Sequence, residues 1–389
     1  MARLSEIFEL QMGKTPARAN SDYWEGGTNS WVSIADLSRY EKYVEGTKER
    51  ITDEAVEESG IKIVPPNTVI MSFKLSLGKT AITREPIYTN EAIMAFIPKA
   101  NYIVSPNYFF YMLSEKDWSE ETNRAVMGAT LNKSTLGKID IVVPPIKEQQ
   151  YVADVLDKLT HLISLRKQQL GNLDELVKAR FVEMFGDMLL NPKSWPERTL
   201  DTMADIVSGI TKGRKTKSNE LFEVPYMAVS NVKDGYIDWK TVKTILATTS
   251  EIDQYRLLPD DVLMTEGGDP DKLGRGAIIR EPLENCIHQN HIFRVRLDRS
   301  TILPEFFSEY LQHQKAKRYF LRCAKQTTGI ASINMQQLRA LPVLAPPMKA
   351  QEAFTGFLTG VDRQKLTIQQ SLNNLELLKK SLMQEYFAR

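Results

Sequence analysis

The chain of 389 residues has only two cysteines, Cys286 and Cys323, too few for a disulfide framework. No apolar run approaches the roughly 18 residues that a membrane span needs. The opening Met1-Ala2-Arg3-Leu4-Ser5-Glu6 lacks the apolar stretch of a secretion signal. A cytoplasmic protein with no membrane partner is the expectation. Surplus charge of one sign is also missing. Fifty Lys and Arg face 49 Asp and Glu, for a net charge of +1. That argues against a non-specific coat on a polyanion, but a sequence reader depends on local patches rather than on the sum. What is present is ordinary for a globular protein: 42% hydrophobic and 25% charged residues. The length suits two or three domains.

The chain contains itself twice. Pro144-Pro145-Ile146-Lys147-Glu148-Gln149 recurs as Pro346-Pro347-Met348-Lys349-Ala350-Gln351, a shift of 202. The same shift carries Asn132 onto Asn334, Leu136 onto Leu338, Leu156 onto Leu358, Leu170 onto Leu372 and Phe185 onto Phe387. Upstream the shift drifts while the order is kept. Leu4 to Gly13 matches Leu200 to Gly209, and Trp31 to Ile34 matches Tyr226 to Val229. Pro66 to Met71 matches Pro259 to Met264, Gly78 to Ile82 matches Gly274 to Ile278, and Pro106 to Leu113 matches Pro304 to Leu311. Each half is a globular unit followed by a better-matched segment.

Those segments carry a coiled-coil rhythm, with spacings alternating between four and three. The first seam reads Val152, Leu156, Leu159, Ile163, Arg166, Leu170, Leu173, Val177, Arg180 and Met184. The second reads Phe354, Leu358, Val361, Lys365, Ile368, Leu372, Leu375, Lys379, Leu382 and Tyr386. Both segments lack proline, which predicts helices of roughly 38 residues, about 57 Å long. An apolar stripe must be buried, and packing the two copies on each other does so most simply. The heptads leave their direction open. An antiparallel pair fits the intervening globular unit, which must carry the chain from one helix end to the other start. The polar seam exceptions, Arg166, Arg180, Lys365 and Lys379, either fix register or carry long stems whose heads snorkel to solvent.

The globular halves read as α+β. Strands are expected at Thr68–Phe73, Ala92–Ile97, Ile139–Val143, Val224–Val229, Asp261–Thr265 and Ile292–Leu297, and helices at Asn107–Lys116 and Pro304–Arg322.

The segment Pro144 to Gln149, followed by Asp157-Lys158-Leu159, Leu165 to Leu170, Leu173 to Leu176 and Phe181 to Asp187, resembles the central conserved region of type I restriction-modification specificity subunits. The Gly-rich turns before a polar Asn, Gly128 to Asn132 and Gly329 to Asn334, also resemble that family, and the likeness runs over essentially the whole chain. Ala350 departs from it, where the first copy has Glu148. The resemblance implies a fold of two tandem target-recognition domains separated by two long helices that form an antiparallel coiled coil, with pseudo-twofold symmetry. The expected division is 1–145 for the first domain, 146–190 for the central helix, 191–345 for the second domain and 346–389 for the C-terminal helix. It implies a non-catalytic subunit that binds double-stranded DNA and recruits two methyltransferase (modification) subunits, with restriction/translocase subunits joining. S-adenosylmethionine, Mg²⁺ and ATP would belong to those partners, with no cofactor on this chain. Two heads spaced by a rod would read a bipartite, asymmetric site, since successive major grooves on one face lie about 34–36 Å apart.

Local patches fit a DNA reader. Lys212, Arg214, Lys215 and Lys217 share one loop with Thr211, Thr216 and Ser218, a mixture suited to phosphates and base edges; a solvated loop has the same composition. Lys14, Arg18, Lys74, Lys79, Asn132 and Lys133 occupy first-half loops, and Lys272, Arg275 and Asn334 second-half loops. Asn pairs naturally with adenine and Arg with guanine, while a loop Asn is also a turn residue. In Lys315 to Arg322 the aromatics read as core and the cations as phosphate candidates. Catalytic signatures are weak. Gly78-Lys79-Thr80 lacks the earlier glycine of a phosphate loop, because position 73 is Phe. His288 and His291 have no third ligand cluster and fit alternating strand chemistry. Asp269-Pro270-Asp271-Lys272 lacks the residue order of common restriction nucleases. Two rival readings remain at this stage: a coiled-coil scaffold with protein-binding ends, and a stand-alone nuclease or methylase.

Overall fold

The structure, a computed structural model, describes residues 1–74, 76–116, 118, 131–214, 220–268, 273–327 and 330–387. The chain divides into two compact units. The first is Met1–Lys167 with Gln370–Arg389, and the second is Gln168–Gln369.

The first unit has β1 (Ala2–Arg3), β2 (Phe8–Met12), β3 (Asn29–Val32), β4 (Glu49–Ile51), β5 (Val69–Ser72), β6 (Thr80–Ile82), β7 (Tyr88–Thr89), β8 (Ile93–Pro98) and β9 (Asp140–Ile141). An antiparallel sheet runs in the order β2-β8-β5-β6, a second sheet runs β4-β3-β7 with a parallel β3–β7 step, and β1 pairs with β9. The second unit has β10 (Glu197–Thr199), β11 (Ala204–Ser208), β12 (Phe222–Met227), β13 (Lys243–Ala247), β14 (Val262–Thr265), β15 (Gly267–Gly268), β16 (Gly276–Ile278), β17 (Ile287–His288), β18 (Ile292–Leu297), β19 (Lys325–Thr327), β20 (Ile330–Ser332) and β21 (Pro342–Leu344). Its orders β11-β18-β14-β16, β13-β12-β17 and β10-β21 repeat the first unit strand for strand, including the parallel step, now β12–β17. The duplicated sequence is thus a duplicated topology. A further sheet, β15-β20-β19, belongs to the second unit.

The central strands read as continuous apolar runs because both faces are covered. Successive side chains point to opposite sides. Val69, Met71, Met94 and Phe96 enter one core with Phe109 of the helix Pro106–Glu115. Ile70, Ile93 and Ala95 enter another with Val32 and Leu37. In the second unit Val262, Met264, Phe293 and Val295 face one way and Leu263 and Ile292 the other.

Two expectations are corrected. The helix expected over Pro304–Arg322 is two helices, Pro304–Gln312 and Gln314–Cys323. His313, with ψ at 152°, breaks the run, and its side chain accepts from the Lys315 N–H to cap the second helix. The turn lets Ala316 and Phe320 reach the core. The strand expected over Ile139–Val143 is only Asp140–Ile141, because pairing is limited to Ala2 and Arg3.

Both long helices, Ile146–Phe185 and Met348–Phe387, have 40 residues. Every seam position read from the heptads is buried or half-buried. Within each unit the helix segments run antiparallel. In the first, Val152 and Leu156 share a core with Met383, while Lys167 lies 3.1 Å from Glu376. In the second, Lys365 lies 2.6 Å from Asp174, while Phe181 packs on Phe354 with ring centroids 5.4 Å apart. As one helix number rises the partner's falls. Arg180 pairs with Glu183 on its own helix and lies over the Phe357 ring.

The repeated proline-pair motif has a physical reason. Gln149 and Gln351 are almost fully buried. Gln351 Oε1 accepts from the Leu303 N–H at 2.8 Å, and its Nε2 donates to the carbonyls of Pro346 at 2.8 Å and Thr301 at 3.3 Å. Gln149 repeats this with the Ser105 N–H and the Pro144 and Ile103 carbonyls. One glutamine thus ties each helix start to its own globular body.

Candidate nucleic-acid interface

In each unit one turn organises the candidate residues. In the first it is Thr89 to Ala92. The Lys14 N–H donates to the Thr89 carbonyl, the Gly13 N–H to Ile93 and the Phe73 N–H to Ala92. The Leu131 N–H then donates to the Phe73 carbonyl. The loop carrying Lys14 and Arg18, the β5–β6 hairpin carrying Lys74 and Lys79, and the helix start carrying Asn132 and Lys133 are therefore stitched to one place. The second unit does the same around His288 to His291. The Ile210 N–H donates to His288, the Glu266 N–H to His291 and the Ile333 N–H to Glu266. This brings the Lys212–Arg214 loop, the hairpin bearing Arg275 and the helix start at Asn334 together. Lys215, Lys217 and Lys272 lie outside the described residues, as do Gly128, Gly329 and Asp269 to Asp271.

The hairpin needs a glycine at its tip. Gly78 and Gly274 have φ of 78° and 73°. A Cβ on Gly78 would lie 2.6 Å from the Trp118 ring, and one on Gly274 would overlap Phe320. Left-handed backbone and close ring contact both exclude a side chain. Gly78-Lys79-Thr80 is accordingly a hairpin turn.

The cations are held differently. Lys14, Lys79, Lys133 and Lys212 are exposed, with the Lys14 ammonium donating to the Ser59 carbonyl at 2.9 Å. Lys74 is half-buried over Phe73. Arg18 makes a two-pronged pair with Glu49, at 2.6 and 3.1 Å, and stacks 3.8 Å from the Trp24 ring. Arg214 grips Glu251 through Nε at 2.6 Å and through its terminal nitrogen, and also reaches the Leu246 carbonyl. Hydrogen bonds from Arg214 hold the Glu251 carboxyl down to about 2. These two arginines brace their loops. Arg275 is half-buried, and its buried Nε has no hydrogen-bond partner among the described residues.

Asn132 and Asn334 recur because each caps a helix. Asn132 Oδ1 accepts from the Thr135 N–H and Asn334 Oδ1 from the Gln337 N–H, each at 2.9 Å. The caps commit the oxygens and leave the amide nitrogens as the remaining donors.

Beside the loop after the first sheet strand each unit has a concavity of different character. In the second unit it is about 210 Å³ and is lined by Lys212, Lys243, Tyr226 and Gln289. In the first it is about 550 Å³ and is lined by Lys14, Tyr23, Glu58 and Glu91. Lysines from the loop and from β13 line the one, while a lysine and two glutamates line the other.

Sequence reasoning passed over the turn itself. Asn90 Nδ2 donates to Thr15 Oγ1, Gln289 Oε1 accepts from the Val229 N–H, and His291 lies 2.5 Å from Glu266. The drifting shift between halves hid these positions; the parallel β3–β7 and β12–β17 steps align them. The two histidines do not converge. His288 is buried on β17 with its ring nitrogens near the Tyr255 and Val207 carbonyls, and burial pushes it down to about 4. His291 sits in the exposed turn after it. Among the described residues no group of three or more His, Cys, Asp or Glu is placed to hold a metal, and no helix is long and apolar enough to cross a membrane.

Residues 1–175 and 192–377 match the family model Methylase_S, the type I restriction modification DNA specificity domain. The chain belongs to that family. It is 29% identical over 252 residues to the type I restriction enzyme MjaIX specificity subunit of Methanocaldococcus jannaschii, covering 60% of this chain and 58% of that relative. This specificity-domain protein therefore spans less than two thirds of that relative's length. It is 22% identical over 347 residues to the EcoKI specificity subunit of Escherichia coli K12, covering 84% of this chain and 74% of that one. Its fold is similar to a chain from a study of complex assembly and conformational transition of the type I restriction-modification system, with TM-score 0.64, 15% identity, and 99% and 96% of the two chains covered. It is also similar to the type I S subunit from M. genitalium, with TM-score 0.57, 14% identity, and 99% and 95% covered.

Proposed function

We propose that this chain is the sequence-specific, non-catalytic DNA-binding subunit of a type I restriction-modification system. Residues 1–145 and 191–345 are two target-recognition domains, each reading one part of a bipartite, asymmetric site in double-stranded DNA. Residues 146–190 and 346–389 recruit two methyltransferase subunits, and restriction subunits join these. S-adenosylmethionine, Mg²⁺ and ATP act on the partners, in the cytoplasm.

One observation carries this reading. Both units hold the same three loops around the same hydrogen-bonded turn, and dress that shared scaffold with different side chains. A common backbone with unlike base-facing groups is what two different half-sites require. Exposed Lys14, Lys79, Lys133 and Lys212 supply phosphate contacts, which position without specifying. Asn90, Gln289 and the two capping asparagines supply amide donors suited to base edges.

The test is DNA binding against salt. Lys14→Ala and Lys212→Ala should each lower the slope of log affinity on log salt by about 1. Slopes unchanged in both variants remove these lysines from the interface. Genomic methylation mapped with and without the chain should show one split motif. Exchanging residues 1–145 for a relative's domain should alter one half of it only.

A further inference from the structure

The second unit has a cavity of about 450 Å³ where the loop from β12 to β13 meets the helix Pro304–Gln312 and the long helices. Tyr236 and Trp239 line it from the loop, Glu305 and Glu309 from the shorter helix, and Asp362 from the helix Met348–Phe387. The corresponding place in the first unit already holds a cation. Lys42, on the loop from β3 to β4, pairs with Asp157 of the helix Ile146–Phe185, and its side chain is only 15% exposed. The Tyr111 hydroxyl donates to the same carboxylate at 2.5 Å. The Lys42 ammonium lies against three rings, 4.9 Å from that of Tyr111, 5.5 Å from Tyr43 and 5.7 Å from Phe110. A carboxylate and aromatic faces are the surroundings that an ammonium favours.

The second unit keeps those surroundings and lacks the lysine. In the repeat Tyr111 falls on Glu309 and Thr160 on Asp362, so two carboxylates stand where the first unit has a phenol and a hydroxyl. The rings come instead from the loop, as exposed Tyr236 and Trp239, and that loop adds no cation to the lining. The two cations that do line the cavity are already paired. Arg280 lies 3.1 Å from Asp260 and 2.7 Å from Glu305 Oε1, and Lys365 lies 2.6 Å from Asp174. Among the described residues Glu309 and Asp362 make no ion pair or hydrogen bond. Glu305 is 7% exposed, and its buried Oε2 has no hydrogen-bond partner among the described residues. Burial pushes the Glu309 carboxyl up, which a cation beside it would reverse.

We propose that this cavity binds an alkylammonium ion, the group that Lys42 supplies from within the chain in the first unit. The Glu309 and Asp362 carboxylates take its charge, and the Tyr236 and Trp239 rings cover its stem. The same chemistry is offered by a free amine and by a lysine side chain of a partner. None of the candidate DNA-binding residues lines the cavity, so the assignment stands apart from the reading of the chain as a DNA-binding subunit.

The probe is n-butylamine, protonated at neutral pH, titrated into the full chain at constant ionic strength and followed by calorimetry and tryptophan fluorescence. Saturable binding with Kd of about 1 mM is expected, the range open to so small a ligand. Neither n-butanol, which has the same shape without the charge, nor potassium ion should replace it. Glu309→Gln combined with Asp362→Asn should weaken binding at least about tenfold, as for lost hydrogen bonds between charged groups. Trp239→Ala, an exposed position that leaves the charge unchanged, should weaken it about two- to fivefold and carries the test if the double variant fails to fold. The source of the ammonium is read from assembly with the purified modification subunit of the same system. If saturating n-butylamine and the double variant both lower that affinity, the natural ligand is a lysine of that subunit; if amine binds and assembly is unaffected, it is a free amine. The site is overturned by an absence of saturable binding, by equal binding of n-butanol or potassium, or by variants that bind n-butylamine as tightly as the native chain.

Discussion

Replacing Gln351 by Leu isolates what anchors the second long helix. Leucine nearly matches glutamine in volume, so packing is kept and the amide's hydrogen bonds are lost. The Leu303 N–H, 2.8 Å from Gln351 Oε1 in a buried setting, is left without an acceptor. An orphaned buried donor costs about 1–3 kcal/mol. The Pro346 carbonyl loses a 2.8 Å bond and the Thr301 carbonyl a 3.3 Å bond. A carbonyl without one donor is less costly than an N–H without an acceptor, which brings the total to about 2–4 kcal/mol. That is a large fraction of the roughly 5–15 kcal/mol that holds a domain folded. At about 2–4 °C per kcal/mol for a unit of this size, the melting temperature should fall by roughly 5–15 °C. Urea unfolding measures the energy, and hydrogen exchange at the Leu303 amide reports the site. Gln149→Leu should do the same through Ser105. A loss under about 0.5 kcal/mol, the range of ordinary surface substitutions, with the Leu303 amide still protected, would refute the argument.

Burial holds His288 near 4 in the folded protein, below its unfolded value of about 6.5. Between those values the unfolded chain binds a proton that the folded chain does not, so stability should fall as pH drops from 6.5 to 4, by about 3 kcal/mol at most; His288→Gln should flatten that slope in pH-dependent melts. Gly274→Ala combines a left-handed backbone with overlap on Phe320 and should cost about 2–4 kcal/mol by urea titration. Lys365→Met removes a half-exposed pair with Asp174 and should change stability by less than about 1 kcal/mol. A larger loss there, with altered helix pairing by crosslinking, would favour a register role for the polar seam residues over simple snorkelling.

Some of this was legible in the residues alone. The proline pairs and the shift of 202 announced two copies, and the topologies repeat strand for strand. The seam from Val152 to Met184 and from Phe354 to Tyr386 is the buried stripe of each helix. Gly78 and Gly274 stood at matching places because hairpin tips packed under a ring admit nothing larger. Other features escaped. The break at His313 has no proline or glycine to mark it. Nothing local to Arg18 or Arg214 marked Glu49 and Glu251 as their ion-pair partners. The recurring Asn132 and Asn334 proved to be helix caps.

By itself the sequence determined the duplication, the helical stripes and the family, because these rest on periodicity and short-range order along one chain. Only the tertiary structure decided which cations remain exposed and which turn gathers the loops. Each of those depends on a partner brought from tens of residues away, and no local pattern encodes what folding will set opposite a given side chain.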